Sequence, residues 1–209
     1  MLNQELSPLD IFNMSPVIPV IVINKVEHAV PLAKALLAGG IKILEITLRS
    51  DAALGSIRRI SDEVPEVIVG AGTVLAPEKI KTVAEAGGRF AITPGLTPAL
   101  LTAAKYATIP LIPGVSTASE VMSALERGFT ELKFFPAEAA GGVQKLKSLG
   151  GPFPQITFCP TGGISAKNYR KYLELANVAC VGGSWIVPPD VIDQENWDKI
   201  TELAQQALR

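Results

Sequence analysis

The sequence predicts an α/β fold, a (β/α)8 TIM barrel preceded by an extra N-terminal helix. Three observations carry that reading. Eight short apolar runs rich in β-branched residues recur along the chain, most of them closing in Gly, Pro, Thr or Ser. They are near-continuously apolar rather than alternating, as strands of a parallel sheet covered on both faces are. A stretch with helical periodicity follows each run, and the repeat of roughly 20 to 26 residues suits one compact βα unit. Eight such units fit a chain of 209 residues, near the lower end for this fold.

In order, the expected strands are PVIPVIVI (16–23), IKILEITL (41–48), EVIVGAGT (66–73), RFAITPG (89–95), IPLIPG (109–114), ELKFFP (131–136), ITFCPTGG (156–163) and VACVGGS (178–184). Between them lie HAVPLAKALLAGG, APEKIKTVAEAGG, TPALLTAAKYA and TASEVMSALERG, and ENWDKITELAQQALR closes the chain. Several open on a capping residue or proline and stop at glycine, the usual helix punctuation. Residues 1–14 are expected as the extra helix, plugging the barrel's bottom, and 16–209 as the barrel, in one domain over 1–209. An open doubly wound sheet is the rival. It places a Gly-rich loop after its first strand, whereas the first strand here ends in INK and the clearest Gly-rich loops come late.

Composition narrows the function. The chain is 48% hydrophobic and 19% charged, with 19 basic and 20 acidic residues and a net charge of -1. No basic block stands out, so no nucleic-acid partner is expected. The start, MLNQELSPLDIF, lacks the basic head and apolar middle of a secretory signal. The longest apolar run, around VIPVIVI, is well short of a membrane span. Cys159 and Cys180 sit in apolar strand-like runs and read as reduced core thiols, which suits the cytoplasm. No Cys/His cluster has zinc spacing. The single histidine, His28, lies near a helix start and is expected to be non-catalytic, which argues against a Ser-His-Asp triad.

In such a barrel the chemistry sits at the C-terminal ends of the strands. Those ends carry small and hydroxyl residues and three long charged ones, Glu45, Arg49 and Lys133. Strand alternation puts Ile43, Glu45, Thr47 and Arg49 on one side and Leu44, Ile46 and Leu48 on the other. In ELKFF it puts Leu132 and Phe134 towards the helices and Lys133 towards the interior. A surface lysine that snorkels, or a plain Lys–Glu ion pair, is the bland alternative. The chemical one is a Schiff-base lysine: its neutral amine, favoured by an apolar pocket, attacks a ketone, and the protonated imine becomes an electron sink. That chemistry needs a proton carrier, and Glu45 is the rim's candidate. Arg49 can hold a substrate carboxylate bidentately. Two late loops, PTGG and VGGSW, bring backbone N–H groups close to an anion and fall after strands seven and eight, where this fold holds phosphate.

The motifs VIPVIV, LEITLR, VGAGTVL, ITPGLT, IPLIPGVST, ELKFFPAE, FCPTGGI and GGSW, in order from about residue 10 to the end, resemble the 4-hydroxy-2-oxoglutarate/2-dehydro-3-deoxy-phosphogluconate (KHG/KDPG) aldolase family, bacterial class I aldolases of the Entner–Doudoroff pathway. The resemblance implies a Schiff-base lyase on a (β/α)8 barrel, a homotrimer that needs no metal or other cofactor. It implies Lys133 as the Schiff-base lysine, Glu45 as the proton-transfer residue and Arg49 closing that motif. It places Thr73 at the pyruvyl part of the substrate, Pro94 in the pocket lining, and Thr161, Gly162, Gly163, Gly183 and Ser184 at the hydroxyl- and phosphate-bearing end. The implied partners are a 2-keto acid phosphate and pyruvate. Ala140 stands where relatives often carry Asn. Two other readings stay open: a phosphosugar isomerase or epimerase with Glu45 as base and Lys133 as electrostatic stabiliser, and a non-catalytic phosphometabolite-binding barrel.

Overall fold

The computed structural model describes residues 6–209. Parallel strands alternate with helices along most of the described chain: β1 Val17–Ile21, β2 Ile43–Thr47, β3 Ile68–Gly72, β4 Ala91–Ile92, β5 Leu111–Ile112, β6 Gly114–Val115, β7 Glu131–Phe134, β8 Thr157–Pro160 and β9 Val181–Gly183. A six-stranded curled parallel sheet runs β5-β4-β3-β2-β1-β9, and a three-stranded parallel sheet runs β6-β7-β8. The eight expected strands thus become nine, because the fifth run divides at Pro113, which has no N–H to give to a ladder. The two sheets adjoin through parallel bridges between Phe158 and Val178 and between Thr161 and Gly182. The ladder is therefore less continuous than eight uninterrupted strands.

The helices are α1 Pro8–Asn13, α2 Ala29–Ala38, α3 Ala53–Glu63, α4 Pro77–Glu85, α5 Pro98–Ala104, α6 Ala118–Leu125, α7 Gly142–Gly150, α8 Tyr169–Leu173, α9 Pro189–Asp193 and α10 Trp197–Leu208. The expected N-terminal helix is shorter than residues 1–14. Ser7 caps it in a reciprocal box with Asp10, Pro8 opens it, and residues 1–5 lie outside the described part.

Two apolar clusters divide the interior. The larger fills the space between strands and helices, with Leu44, Ile46, Leu132 and Phe134 among its members. The smaller joins Ile11 and Phe12 of α1 to Ile18, Ile43, Phe90, Ile92, Ile112, Cys159 and Cys180. Alternate residues of one strand thus enter different clusters: Leu44 and Ile46 face the helices, while Ile43 packs beneath α1. The period of two in a strand produces this division, and α1 supplies the floor on which the smaller cluster rests. Among the described residues no helix is long and apolar enough to cross a membrane.

The helix that leads into the Lys133 strand is fixed by its cap. Thr117 Oγ1 accepts from Glu120 N (3.3 Å), and Glu120 Oε2 accepts from the backbone N–H of Ser116 and of Thr117 (2.8 Å each). Burial opposes ionisation of Glu120, but these hydrogen bonds outweigh it and hold its carboxyl below the usual carboxylate range. A lowered folded-state value means that the contribution is present above the ordinary carboxylate range and is lost as the pH falls through it. Thr117→Ala is expected to cost about 1 kcal/mol in denaturant unfolding at neutral pH. The gap from the parent protein should narrow in acid, and a constant gap would assign the loss to packing instead.

Candidate active site

Lys133 and Glu45 come from opposite parts of the fold. Glu45 is the middle residue of β2, and Lys133 lies in β7, in register with Gly114 on one side and Cys159 on the other. Among the described residues Lys133 is the one buried lysine and Glu45 the one buried carboxylate. Their side chains are 7% and 2% exposed, and Lys133 Nζ donates to Glu45 Oε1 at 3.1 Å. Bringing both charges out of water costs more than mutual attraction reliably returns. Nothing about the fold requires them, because apolar side chains fill the equivalent layer below. A charged pair kept at such cost marks a place where charge is used.

The surroundings are shaped around this pair. The ring of Phe135 lies 5.6 Å from Nζ, near enough for cation–π attraction. Gly72, at the end of β3, leaves room for the carboxylate: a Cβ built there would come within 2.7 Å of Glu45 Cδ. Thr47 is buried and donates to the carbonyl of Ile21 at 2.9 Å.

Arg49 does not continue the strand as its spacing predicts. β2 ends at Thr47, and Arg49 N donates to Thr47 O at 2.8 Å, turning the chain. The guanidinium is exposed, yet its Nε still reaches Thr47 Oγ1 at 3.3 Å, so it stays tied to the residue above Glu45. Thr73 follows β3 with φ 57°, a left-handed conformation costly for a β-branched residue. Pro94 is half-buried beyond β4, beside Thr93, whose Oγ1 accepts from Gly114 N at 3.0 Å.

Thr161, Gly162 and Gly163 leave β8 together, the two glycines at φ 101° and 76°, which suit residues without a Cβ. Thr161 is buried, and its Oγ1 has no protein hydrogen-bond partner, a donor and acceptor left for something else. Gly182 lies against it, where a Cβ would approach Thr161 Cγ2 to 3.1 Å. Gly183 is the last residue of β9, and Ser184 follows it, exposed.

The remaining candidates lie outside this group. His28 is buried, with Nε2 3.3 Å from Glu195 Oε1 and its ring edge-on to Trp197 at 5.8 Å. Cys159 and Cys180 are free and buried in the smaller cluster. Burial first, and contact with Cys159 next, push the Cys180 thiol well up, so it stays protonated. Among the described residues no three His, Cys, Asp or Glu side chains gather as a metal site. Gly72, Thr93 and Gly182 are among the small and hydroxyl residues that strand-end reading finds, but it does not show that the two glycines make room for Glu45 and Thr161 or that Thr93 accepts from Gly114 N.

Comparison with known proteins matches the chain itself to a family. The model of the KDPG and KHG aldolase family covers residues 9–203. The chain belongs to the KDPG and KHG aldolase family. It is 57% identical over 208 residues to the KHG/KDPG aldolase of Escherichia coli K12, covering 100% of this chain and 98% of that one. Two solved structures of the family superpose closely. One is the KDPG aldolase of Legionella pneumophila with pyruvate captured at low pH as a covalent carbinolamine intermediate, with TM-score 0.96 and 53% identity, covering 97% of this chain and 98% of that one. The other is the 2-keto-3-deoxy-6-phosphogluconate aldolase of Zymomonas mobilis ZM4 with 3-phosphoglycerate, with TM-score 0.92 and 44% identity, covering 98% and 96%.

Proposed function

We propose that this chain is a class I aldolase that cleaves 2-dehydro-3-deoxy-6-phosphogluconate to pyruvate and glyceraldehyde 3-phosphate. The 3.1 Å buried contact between Lys133 Nζ and Glu45 Oε1 carries the reading. A proton passed along that hydrogen bond leaves the neutral amine that attack on a ketone requires. The amine adds to C2, and Glu45 shuttles protons as the carbinolamine loses water. Glu45 then takes the C4 hydroxyl proton. The C3–C4 bond breaks with its electron pair moving into the iminium, and glyceraldehyde 3-phosphate leaves. Protonation of the enamine at C3 and hydrolysis of the imine release pyruvate and restore the amine.

The other residues serve the two ends of the substrate. Arg49 and Thr73 hold the carboxylate, Pro94 lines the pocket, and Thr161, Gly162, Gly163, Gly183 and Ser184 receive the hydroxyl and phosphate end. The free Thr161 hydroxyl and the two glycines at positive φ support this assignment. So do the pyruvate adduct in the Legionella relative and the three-carbon phosphate in the Zymomonas one. Cleavage of 4-hydroxy-2-oxoglutarate to pyruvate and glyoxylate is proposed as a second activity, since it shares the keto-acid head and its name is carried by the Escherichia coli relative. The same reading places the sheets in a closed (β/α)8 barrel, assembled as a homotrimer in the cytoplasm. Light scattering should then return three times the chain mass.

The test is chemical. Incubation with pyruvate and borohydride is expected to leave one reduced imine on Lys133, located by peptide mass mapping. An intact protein that binds pyruvate but gains no adduct at Lys133 would leave the isomerase reading in its place.

A further inference from the structure

We propose that Glu138 and Tyr172 form a clamp that fixes the glycine loop after β8 against the strand bearing Lys133, and so set the preference for phosphorylated over unphosphorylated keto acids. The proposal rests on the phosphate role given above to Gly162 and Gly163. Glu138 follows β7 in the segment that begins two residues beyond Lys133, and the mechanism makes no use of it. Its backbone stitches the two loops together: Ala137 N donates to Thr161 O at 2.8 Å, and Glu138 N donates to Gly162 O at 3.0 Å. Its side chain does the rest.

The Glu138 carboxylate accepts a hydrogen bond from the Tyr172 hydroxyl, and Tyr172, on α8, is wholly buried. On its way there the side chain lies flat over Gly163. A Cβ on Gly163 would come within 2.6 Å of Glu138 Cγ and 2.7 Å of its Cβ. On the other side Gly142, at φ 58°, would bring a Cβ to 3.2 Å from the Tyr172 oxygen and 3.4 Å from Glu138 Oε1. The acid is thus wedged between two glycine turns and anchored at its far end by a phenol that cannot move without disturbing the core. Burial first, and the neighbouring carboxylate next, push the Tyr172 hydroxyl far up, so it remains a donor throughout the working pH range.

The acid's charge makes its position informative. A carboxylate beside an anion-binding loop repels phosphate, so Glu138 weakens the site unless it holds the loop in shape. Holding a loop N–H within a fraction of an ångström of its ideal place is what a bidentate or backbone phosphate cradle demands. The pyruvyl end, at Lys133 and Glu45, does not need it. The clamp therefore acts on the phosphate end alone, which makes Glu138 and Tyr172 positioning residues.

The variants are Tyr172→Phe, Glu138→Ala and Glu138→Gln. Tyr172→Phe removes one oxygen and keeps the ring. Glu138 is exposed, so its variants keep the fold even if the core variant does not. The first two are expected to raise the Kd for glyceraldehyde 3-phosphate and the KM for the phosphorylated substrate about tenfold, the effect of losing one hydrogen bond to a charged group. The rate of borohydride-trapped adduct formation with pyruvate and the KM for 4-hydroxy-2-oxoglutarate should stay within about twofold. Glu138→Gln keeps an acceptor for the phenol and should restore most of the loss. Equal losses on both substrates, no loss on either, or tighter phosphate binding in Glu138→Ala would each overturn the clamp. Glyceraldehyde 3-phosphate binding is read by calorimetry without turnover. An unmodified protein that binds it but forms no pyruvate adduct would therefore count against the aldolase reading alone, and the Kd values of the Glu138 and Tyr172 variants would still uphold or overturn the clamp.

Discussion

Lys133→Ala is expected to lower lyase turnover by roughly 10⁴-fold or more and to abolish the pyruvate adduct. The covalent route disappears with the amine, and no other buried lysine among the described residues can replace it. What remains is binding and orientation by the carboxylate and phosphate ends. The same change bears on stability, because it leaves Glu45 buried at 2% exposure without its partner. Breaking one side of a buried ion pair costs about 3–5 kcal/mol where the other charge stays unpaired. Lys133→Met should show the same loss, and Lys133→Met with Glu45→Gln should regain part of it while remaining inactive. Denaturant unfolding of the three variants measures this. A single variant as stable as the parent would show that water enters the site to solvate Glu45. Residual adduct in Lys133→Ala would move the Schiff base to another amine.

The pairing of Lys133 with Glu45 is legible in sequence because strand parity is strict. In IKILEITLR parity sets Glu45 on the face opposite Leu44 and Ile46, in ELKFF it sets Lys133 opposite Leu132 and Phe134, and those four apolar residues do pack towards the helices. Parity fails where the strand stops. Arg49 lies two residues beyond Thr47, and a turn there sends its guanidinium to the surface, held only through Thr47 Oγ1. The division of the fifth strand has its cause in plain view at Pro113, but a proline at a strand end and one that interrupts it read alike. Contacts between distant residues are the least legible. A tyrosine in NYRKYLEL gives no sign that it meets an acid 34 residues earlier. The glycines of VGAGT show that something comes close, without showing what.

Gly72 is where that matters most, and Gly72→Ala is expected to slow turnover about 10²-fold, as a displacement of about 1 Å in a catalytic group does. The residue is not in the left-handed region, so alanine meets no backbone objection. The objection is steric: the new Cβ would lie 2.7 Å from Glu45 Cδ and 2.8 Å from Cγ. Either the strand or the carboxylate must move. The strand is held on both sides, with Thr47 paired to Gly72, Leu48 N donating to Gly72 O at 2.9 Å, and Ala71 N donating to Phe90 O at 3.0 Å. The carboxylate therefore moves, and the 3.1 Å contact with Lys133 opens. Glu45→Gln sets the upper limit, at roughly 10²- to 10⁴-fold, since it removes the base outright. In both variants the loss should fall on kcat rather than KM, and Gly72→Ala should still form its pyruvate adduct, slowly. Gly70→Ala is the control on the same strand: Gly70 pairs with Glu45 in the ladder, but its Cβ would meet the Phe90 ring first, at 2.5 Å, and should cost stability with little effect on rate. If Gly70→Ala and Gly72→Ala slowed turnover alike, the effect would belong to β3 as a whole. If only Gly72→Ala does, the missing side chain at that glycine is what keeps the base within reach of the amine.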